Sequence, residues 1–288
     1  MTAYASELDH RWCEDIHRRY GTTYYFATRM FPKSLRRRVH AVYAFVRVPD
    51  EWVDNPHGLS NIEVEERLQD WRQQLVAGTQ QSECPEHPAM RAFCDVVRET
   101  AMPLEEPSRF IEAMEMDLTV NRYPTYADLQ RYMAGSAAAV GLMMCHVVGG
   151  PMDSHSLRAA RTLGEAMQMT NFIRDVAEDA RRGRIYLPLE DLDRFGVKED
   201  DIFEGRFTPE VRALVRFEIE RTRELYRASD PGIRTLQGST RRAVSLARSL
   251  YSRILDRVED QDCNVFAGRA RTTPIEKGLV ALRVLVFP

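Results

Sequence analysis

Gln168-Met-Thr-Asn171-Phe-Ile-Arg174-Asp175-Val-Ala-Glu178-Asp179, running on through Ala-Arg-Arg-Gly183-Arg184-Ile-Tyr186-Leu-Pro188, is the stretch from which the rest of the chain can be read. At about 100° of rotation per residue, Gln168, Asn171, Asp175 and Asp179 fall within an arc of roughly 80° on a helix. Leu163, Ala166, Met169, Thr170, Ile173, Val176 and Ala177 gather on the opposite side, with Met167 and Phe172 on the flanks. A helix this apolar around its circumference is usually buried. Two carboxylates one turn apart in such a place need cationic partners, because desolvating like charges side by side is expensive.

The pattern occurs twice. From Ser34 to Asp54 the chain is again helical in pattern, and Tyr43, Arg47, Asp50 and Asp54 step by four, three and four residues along one face. Pro49 interrupts this run, so a kink or local distortion is expected just before Asp50, and Asn55-Pro56-His57-Gly58 ends it. Two Asp-x-x-x-Asp pairs facing each other across a bundle suit oxygen-loving divalent cations. Magnesium is the natural one; it is held by one or two carboxylates together with substrate phosphate oxygens, which implies a phosphorylated ligand. Arg47 and Arg174, close to the acids, suit the same anion.

The 288 residues are 44% hydrophobic, enough for a substantial core, and no alternating apolar run is long enough to build a sheet. The expectation is an all-α chain forming one domain over residues 1–288. A net charge of −3 argues against a general nucleic-acid binder. Five widely spaced cysteines without any CxxC suggest neither a disulfide framework nor a zinc site, and a reducing cytoplasm fits. No signal segment or long apolar span is evident, so a cytoplasmic protein, soluble or peripheral on a membrane, is expected.

Residues 4 to 19 read as a helix. Its Glu7-x-x-His10 and Glu14-x-x-His17 lie on one helix rather than two, unlike a di-iron bundle, and are assigned to solvated surface. Gly21-Thr22-Thr23-Tyr24-Tyr25-Phe26 is expected to start a helix on a Thr cap. Residues 61 to 77 and 86 to 100 read as ordinary packing helices. Around Tyr132, Ser136, Ala137, Val140 and Gly141 a helix rich in small residues either approaches a neighbour closely or makes room for a long apolar ligand. Thr208-Pro209 marks a helix start; the helix to about 227 is taken as solvated, and the one at 239–260 as core.

Taken together, these blocks resemble the squalene and phytoene synthase family, in its bacterial phytoene synthase branch. The matching segments are Tyr43 to Asp54, Tyr132 to Met143, Gln168 to Asp179, Gly183-Arg184-Ile-Tyr186-Leu-Pro188, and Tyr251 through Val265-Phe266-x-Gly-Arg269. The resemblance implies an all-α class I isoprenoid synthase bundle around a central cavity. It further implies head-to-head condensation of two geranylgeranyl diphosphates to phytoene via prephytoene diphosphate. Asp50, Asp54, Asn171, Asp175 and Asp179 would hold Mg²⁺, or Mn²⁺ in its place, against the diphosphate. By the same analogy Arg47 and Arg174 would bind diphosphate oxygens; Tyr43, Tyr186, Arg184 and Tyr251 would line the place where diphosphate leaves; Gln168, Tyr132, Ser136, Ala137 and Val140 would border the carbocation and its chain. NADPH is not expected. The rivals are a C30 squalene or dehydrosqualene synthase using farnesyl diphosphate, and a non-catalytic assembly homologue. One departure stands out: where the family often has Ser-Lys-Ser-Phe, this chain has Gly21-Thr22-Thr23-Tyr24. Apolar substrates suggest a membrane exit, with Arg36 to Arg38 or Arg181 to Arg184 as the basic contacts.

Overall fold

The computed structural model describes residues 4–286, and among them there is no strand beyond one isolated parallel bridge between Arg122 and Ile185. The helices are α1 (Glu7–Tyr20), α2 (Thr22–Thr28), α3 (Lys33–Asp54), α4 (Asn61–Thr79), α5 (Pro88–Thr100), α6 (Glu105–Met116), α7 (Tyr126–Met133), α8 (Ala139–Val148), α9 (Ser154–Arg181), α10 (Leu189–Phe195), α11 (Glu199–Phe203), α12 (Pro209–Thr235), α13 (Gly238–Asp260) and α14 (Pro274–Val286). Between α7 and α8 the chain is π-helical over Ala134–Ala138. The architecture is all-α among the described residues, as expected.

Local chemistry sets the helix starts. Ser6, Ser60 and Thr125 close capping boxes with Asp9, Glu63 and Asp128. Asp153 accepts from the His155 and Ser156 amides to open α9, and Thr208 with Pro209 opens α12. One core packs Phe45 of α3 against Phe93 of α5 at a ring separation of 3.8 Å, with Trp71 of α4 alongside. A second core joins α9, α12 and α13 through Ile173, Leu214, Ile219 and Leu255.

α9 is central because glycines let its neighbours reach its backbone. A Cβ on Gly141 would lie 2.3 Å from the Ala160 carbonyl oxygen, and one on Gly164 would lie 2.5 Å from that of Ala137. The small-residue run therefore serves close approach, and Ser136, Ala137 and Val140 border empty space beside it as well.

Three expectations need correction. His17 is fully buried rather than solvated, because α1 packs on α3 with that face inward. The start of α2 is Gly21, with no side-chain cap; a Cβ there would meet the Tyr43 ring at 2.7 Å and His17 at 2.8 Å, so steric room decides the residue. Pro49 lies inside α3, which continues past it to Asp54, the missing amide costing one backbone bond. And α12 is no solvated outer helix: it runs to Thr235, lies along α9 and buries Val211, Leu214, Ile219 and Tyr226 together with Glu218, most of its other charges lying toward solvent.

Candidate active site

α3 and α9 face each other across a cavity of about 740 Å³ whose lining runs in sequence from Arg19 to Lys277. Tyr43, Arg47, Asp50 and Asp54 enter from α3; Gln168, Asn171, Arg174, Asp175 and Asp179 enter from α9. Tyr132, Ser136, Ala137, Val140, Tyr186 and Tyr251 complete the same lining. Arg184 alone among the expected residues stands behind the wall. It donates to Asp54 Oδ1 at 2.7 Å and to the Asp117 carbonyl oxygen at 3.2 Å. The turn that places it needs Gly183 at φ +76°, and the Ile185 amide bonds the Asn121 carbonyl at 3.1 Å, pinning this segment beside residues 121–124.

The cations demanded by buried carboxylates are present. Arg174 Nε donates to Asp175 Oδ1 at 2.8 Å, and Arg269 reaches the same carboxylate from the C-terminal loop, also at 2.8 Å. Burial pushes Asp175 up, but these two guanidiniums outweigh it and hold the group below its ordinary value. Asp179 has only more distant partners, with Arg182 at 3.9 Å. Burial, then the charges of Asp175 and Asp54, push it up to about 8. On the opposite wall Arg47 pairs with Asp50 and Glu51 and lies 4.5 Å from the Tyr20 ring centroid. Asp50 keeps some exposure because it borders the cavity, yet the surrounding protein and the Asp54 charge still raise it. Arg182 also reaches Asp54, at 3.7 Å, so one guanidinium spans both acidic stripes.

Three contributors were not singled out from sequence. Asp117 borders the cavity, accepts from the Tyr132 hydroxyl at 2.5 Å and from the Tyr186 hydroxyl at 3.1 Å, and burial pushes it up to about 6. Its signal was a lone acid between Met116 and Leu118, too common a pattern to weigh. Arg269 lay in a matching block without a role. His17 stacks on Tyr43 with centroids 4.1 Å apart and planes 9° apart, and its Nδ1 lies 2.9 Å from that of His40, one ring donating to the other. Burial lowers His17 well below its usual value, so this stack is neutral and fixes the Tyr43 ring.

Away from these charges the lining is apolar: Phe31, Phe110, Met144, Val148, Leu163 and Leu236. One end of the pocket thus suits a polyanion and the rest suits hydrocarbon. Among the described residues no three His, Cys, Asp or Glu side chains form a ready-made metal cluster. The donor set still fits a hard divalent cation. Asp50, Asp117 and Asp179 are carboxylates whose charge their neighbours do not fully offset, and all the candidate ligands are oxygens, as Mg²⁺ requires when substrate phosphates supply the remainder.

The squalene/phytoene synthase profile matches residues 17–276. This chain belongs to the squalene/phytoene synthase family. It is 35% identical over 272 residues to a 15-cis-phytoene synthase of Synechococcus elongatus, covering 90% of this chain and 86% of that one. It is 36% identical over 273 residues to a phytoene synthase of Arthrospira platensis, with the same coverage. Among solved structures, a dehydrosqualene synthase with a bound ligand superposes with a TM-score of 0.89 at 28% identity, covering 98% of this chain and 96% of that one. A squalene synthase, HpnC from Alicyclobacillus acidocaldarius, gives 0.79 at 26% identity, covering 89% and 95%. Membership makes the chain a prenyltransferase of the phytoene synthase-like kind, and no helix among its described residues is long and apolar enough to cross a membrane.

Proposed function

We propose that this family member joins two geranylgeranyl diphosphates head to head, through prephytoene diphosphate, to phytoene. The observation that carries the reading is the polarity of a single cavity, with carboxylates and arginines at one end and an apolar chamber behind them. The cyanobacterial relatives, all named phytoene synthases, favour the C40 product over a C30 one. We read residues 1–288 as one domain for the same reason, since the cavity lining runs from Arg19 to Lys277.

In this reading Arg47 and Arg174 hold the diphosphate oxygens, each oriented by an aspartate beside it. Bound by Asp50, Asp54, Asn171, Asp175 and Asp179, Mg²⁺ would neutralise the charge growing on the leaving diphosphate. Tyr43, kept in place by His17, and Tyr251 present hydroxyls that burial holds protonated, so they donate to the departing anion rather than repel it. Tyr132 and Tyr186 are fixed by Asp117, and Phe172 stacks on Tyr186 at 4.3 Å, which places ring faces near the path of an allylic cation. The apolar lining behind the carboxylates offers little to hold water that would quench that cation before the second double bond attacks it. Proton loss from the final cation gives the triene of phytoene; NADPH has no part in this route.

Purified protein with Mg²⁺ and either farnesyl or geranylgeranyl diphosphate, with and without NADPH, tests the reading by product mass. A C40 hydrocarbon unaffected by NADPH is expected. Exclusive C30 products from a mixture of both diphosphates would overturn it in favour of the dehydrosqualene synthase activity named for the structural relative, and no turnover at all would favour an assembly homologue.

A further inference from the structure

Surface helices of soluble proteins turn their apolar side inward, and α14 does so only in part. Val280, Ala281 and Val284 pack toward Leu246 and Leu250 of α13 and Ala27 of α2. Ile275, Leu279, Leu282 and Val286 occupy an arc of roughly 60° on the opposite side, with exposures of 76%, 62%, 59% and 59%, and Leu285 beside them is 54% exposed. Five of the twelve large apolar side chains exposed among the described residues thus sit on one 13-residue helix. The helix is held firmly. Thr273 and Glu276 exchange capping bonds, and Glu276 pairs with Arg253 and Arg257 of α13.

We infer that α14 is an interfacial helix that lays its outer face into an anionic lipid bilayer beside the entrance of the cavity. Charge agrees with this occupant: Arg271 and Arg283 are exposed and have no acidic partner among the described residues, and the one acid of the helix, Glu276, is already paired. Position agrees too, because Arg271, Thr272 and Lys277 border the cavity itself. A second copy fits less well. An isologous contact would set this face against itself and so offer the unpaired Arg283 no acid of α14 beyond the already paired Glu276, whereas a helix this long lying in the headgroup region needs only its own outer face. The basic runs that the sequence suggested for this contact are largely committed elsewhere: Arg37 to Glu7, Arg38 to Glu99, Arg182 to Glu178, Arg184 to Asp54. The inference rests on the proposed prenyl substrate only for the reason that a bilayer is needed.

The test is co-sedimentation of the full chain with phosphatidylcholine vesicles, with and without phosphatidylglycerol, alongside a thermal melt, sedimentation equilibrium and turnover in detergent solution. The variant Leu279→Gln/Leu282→Gln is expected to melt like wild type, to keep its turnover in detergent and to bind vesicles about tenfold more weakly or worse, the equivalent of roughly 1.4 kcal/mol. Arg283→Gln is expected to weaken binding only to the vesicles that contain phosphatidylglycerol. Equal vesicle binding by wild type and the double variant overturns the inference, as does loss of a dimer by that variant with vesicle binding unchanged. Vesicle binding is read without turnover, so a chain that binds lipid but converts no prenyl diphosphate fails the proposed function and keeps this inference.

Discussion

The two acidic stripes have the same four-residue spacing and opposite electrostatic arrangements. On α9 the first aspartate, Asp175, is clamped by Arg174 and by Arg269 from the C-terminal loop, while Asp179, one turn on, is left with a raised affinity for its proton. On α3 the order is reversed: Asp54, the second, is bonded by Arg184, and Asp50, the first, is the raised one despite Arg47. Each stripe therefore has one aspartate tied to an arginine from elsewhere in the chain and one that holds its proton more tightly than an ordinary carboxyl. Sequence spacing sets which side chains share a face; it is the remote arginines that divide the work between them.

The largest expected effect breaks the symmetry of function while sparing the fold. Asp179→Asn and Asp50→Asn should each lower turnover of prenyl diphosphate at least about a thousandfold, roughly 4 kcal/mol of transition-state stabilisation, with a melting temperature equal to or above wild type. Steady-state kinetics at saturating Mg²⁺ and a thermal melt decide it, and turnover within a few-fold of wild type would remove these two from the site. Asp175→Asn should differ in kind. It leaves the buried Arg174 without its partner, so a loss of about 3 kcal/mol in denaturant unfolding accompanies the loss of activity. If Asp175→Asn and Asp179→Asn melt alike, the division of roles drawn above is wrong.

A smaller effect separates the supports of the two helices. Gly164→Ala drives a methyl group into the Ala137 carbonyl, which is backbone and cannot step aside, at a cost of about 1–3 kcal/mol. Gly21→Ala meets the rings of Tyr43 and His17, which can shift, so its unfolding free energy should fall less while turnover falls more, through the displaced Tyr43. A pH-dependent effect lies behind α9. Glu218 on α12 is fully buried, hydrogen-bonded by Arg221 at 3.0 Å beside Asp191, and burial pushes it up to about 8. A carboxyl whose folded-state pKa is raised weakens the fold as pH rises from its ordinary 4.5 through 8. Glu218→Gln should thus melt like wild type below pH 4.5 and above it in temperature beyond pH 8; a melting difference independent of pH would refute this.

The helical class and both stripes were legible because a helix repeats at a fixed angle, so Tyr43 to Asp54 and Gln168 to Asp179 declare their faces without tertiary information. Asp117, Arg269 and the burial of His17 were not, since each owes its place to a partner distant in sequence: Tyr132 and Tyr186, Asp175, and Tyr43 with His40. α12 was misjudged for a related reason. Counting its charges gave their number and not their side, and the apolar remainder suffices to bury it against α9. The outward leucines of α14 went unassigned because an apolar residue in sequence does not say which way it points.

The π-helical stretch at Ala134–Ala138 can be understood as a single-residue insertion held inside a longer helix. Upstream of it, Tyr132 points at Asp117; downstream, Gly141 is pressed against Ala160. In an uninterrupted α-helix those two demands would be out of phase, because each residue removed turns everything beyond it by about 100°. Shortening the segment by one alanine would restore regular geometry and yet misalign either the aromatic wall or the backbone contact with α9. The irregular turn is thus a phase adjuster, and a shorter, better-formed helix would make a worse enzyme.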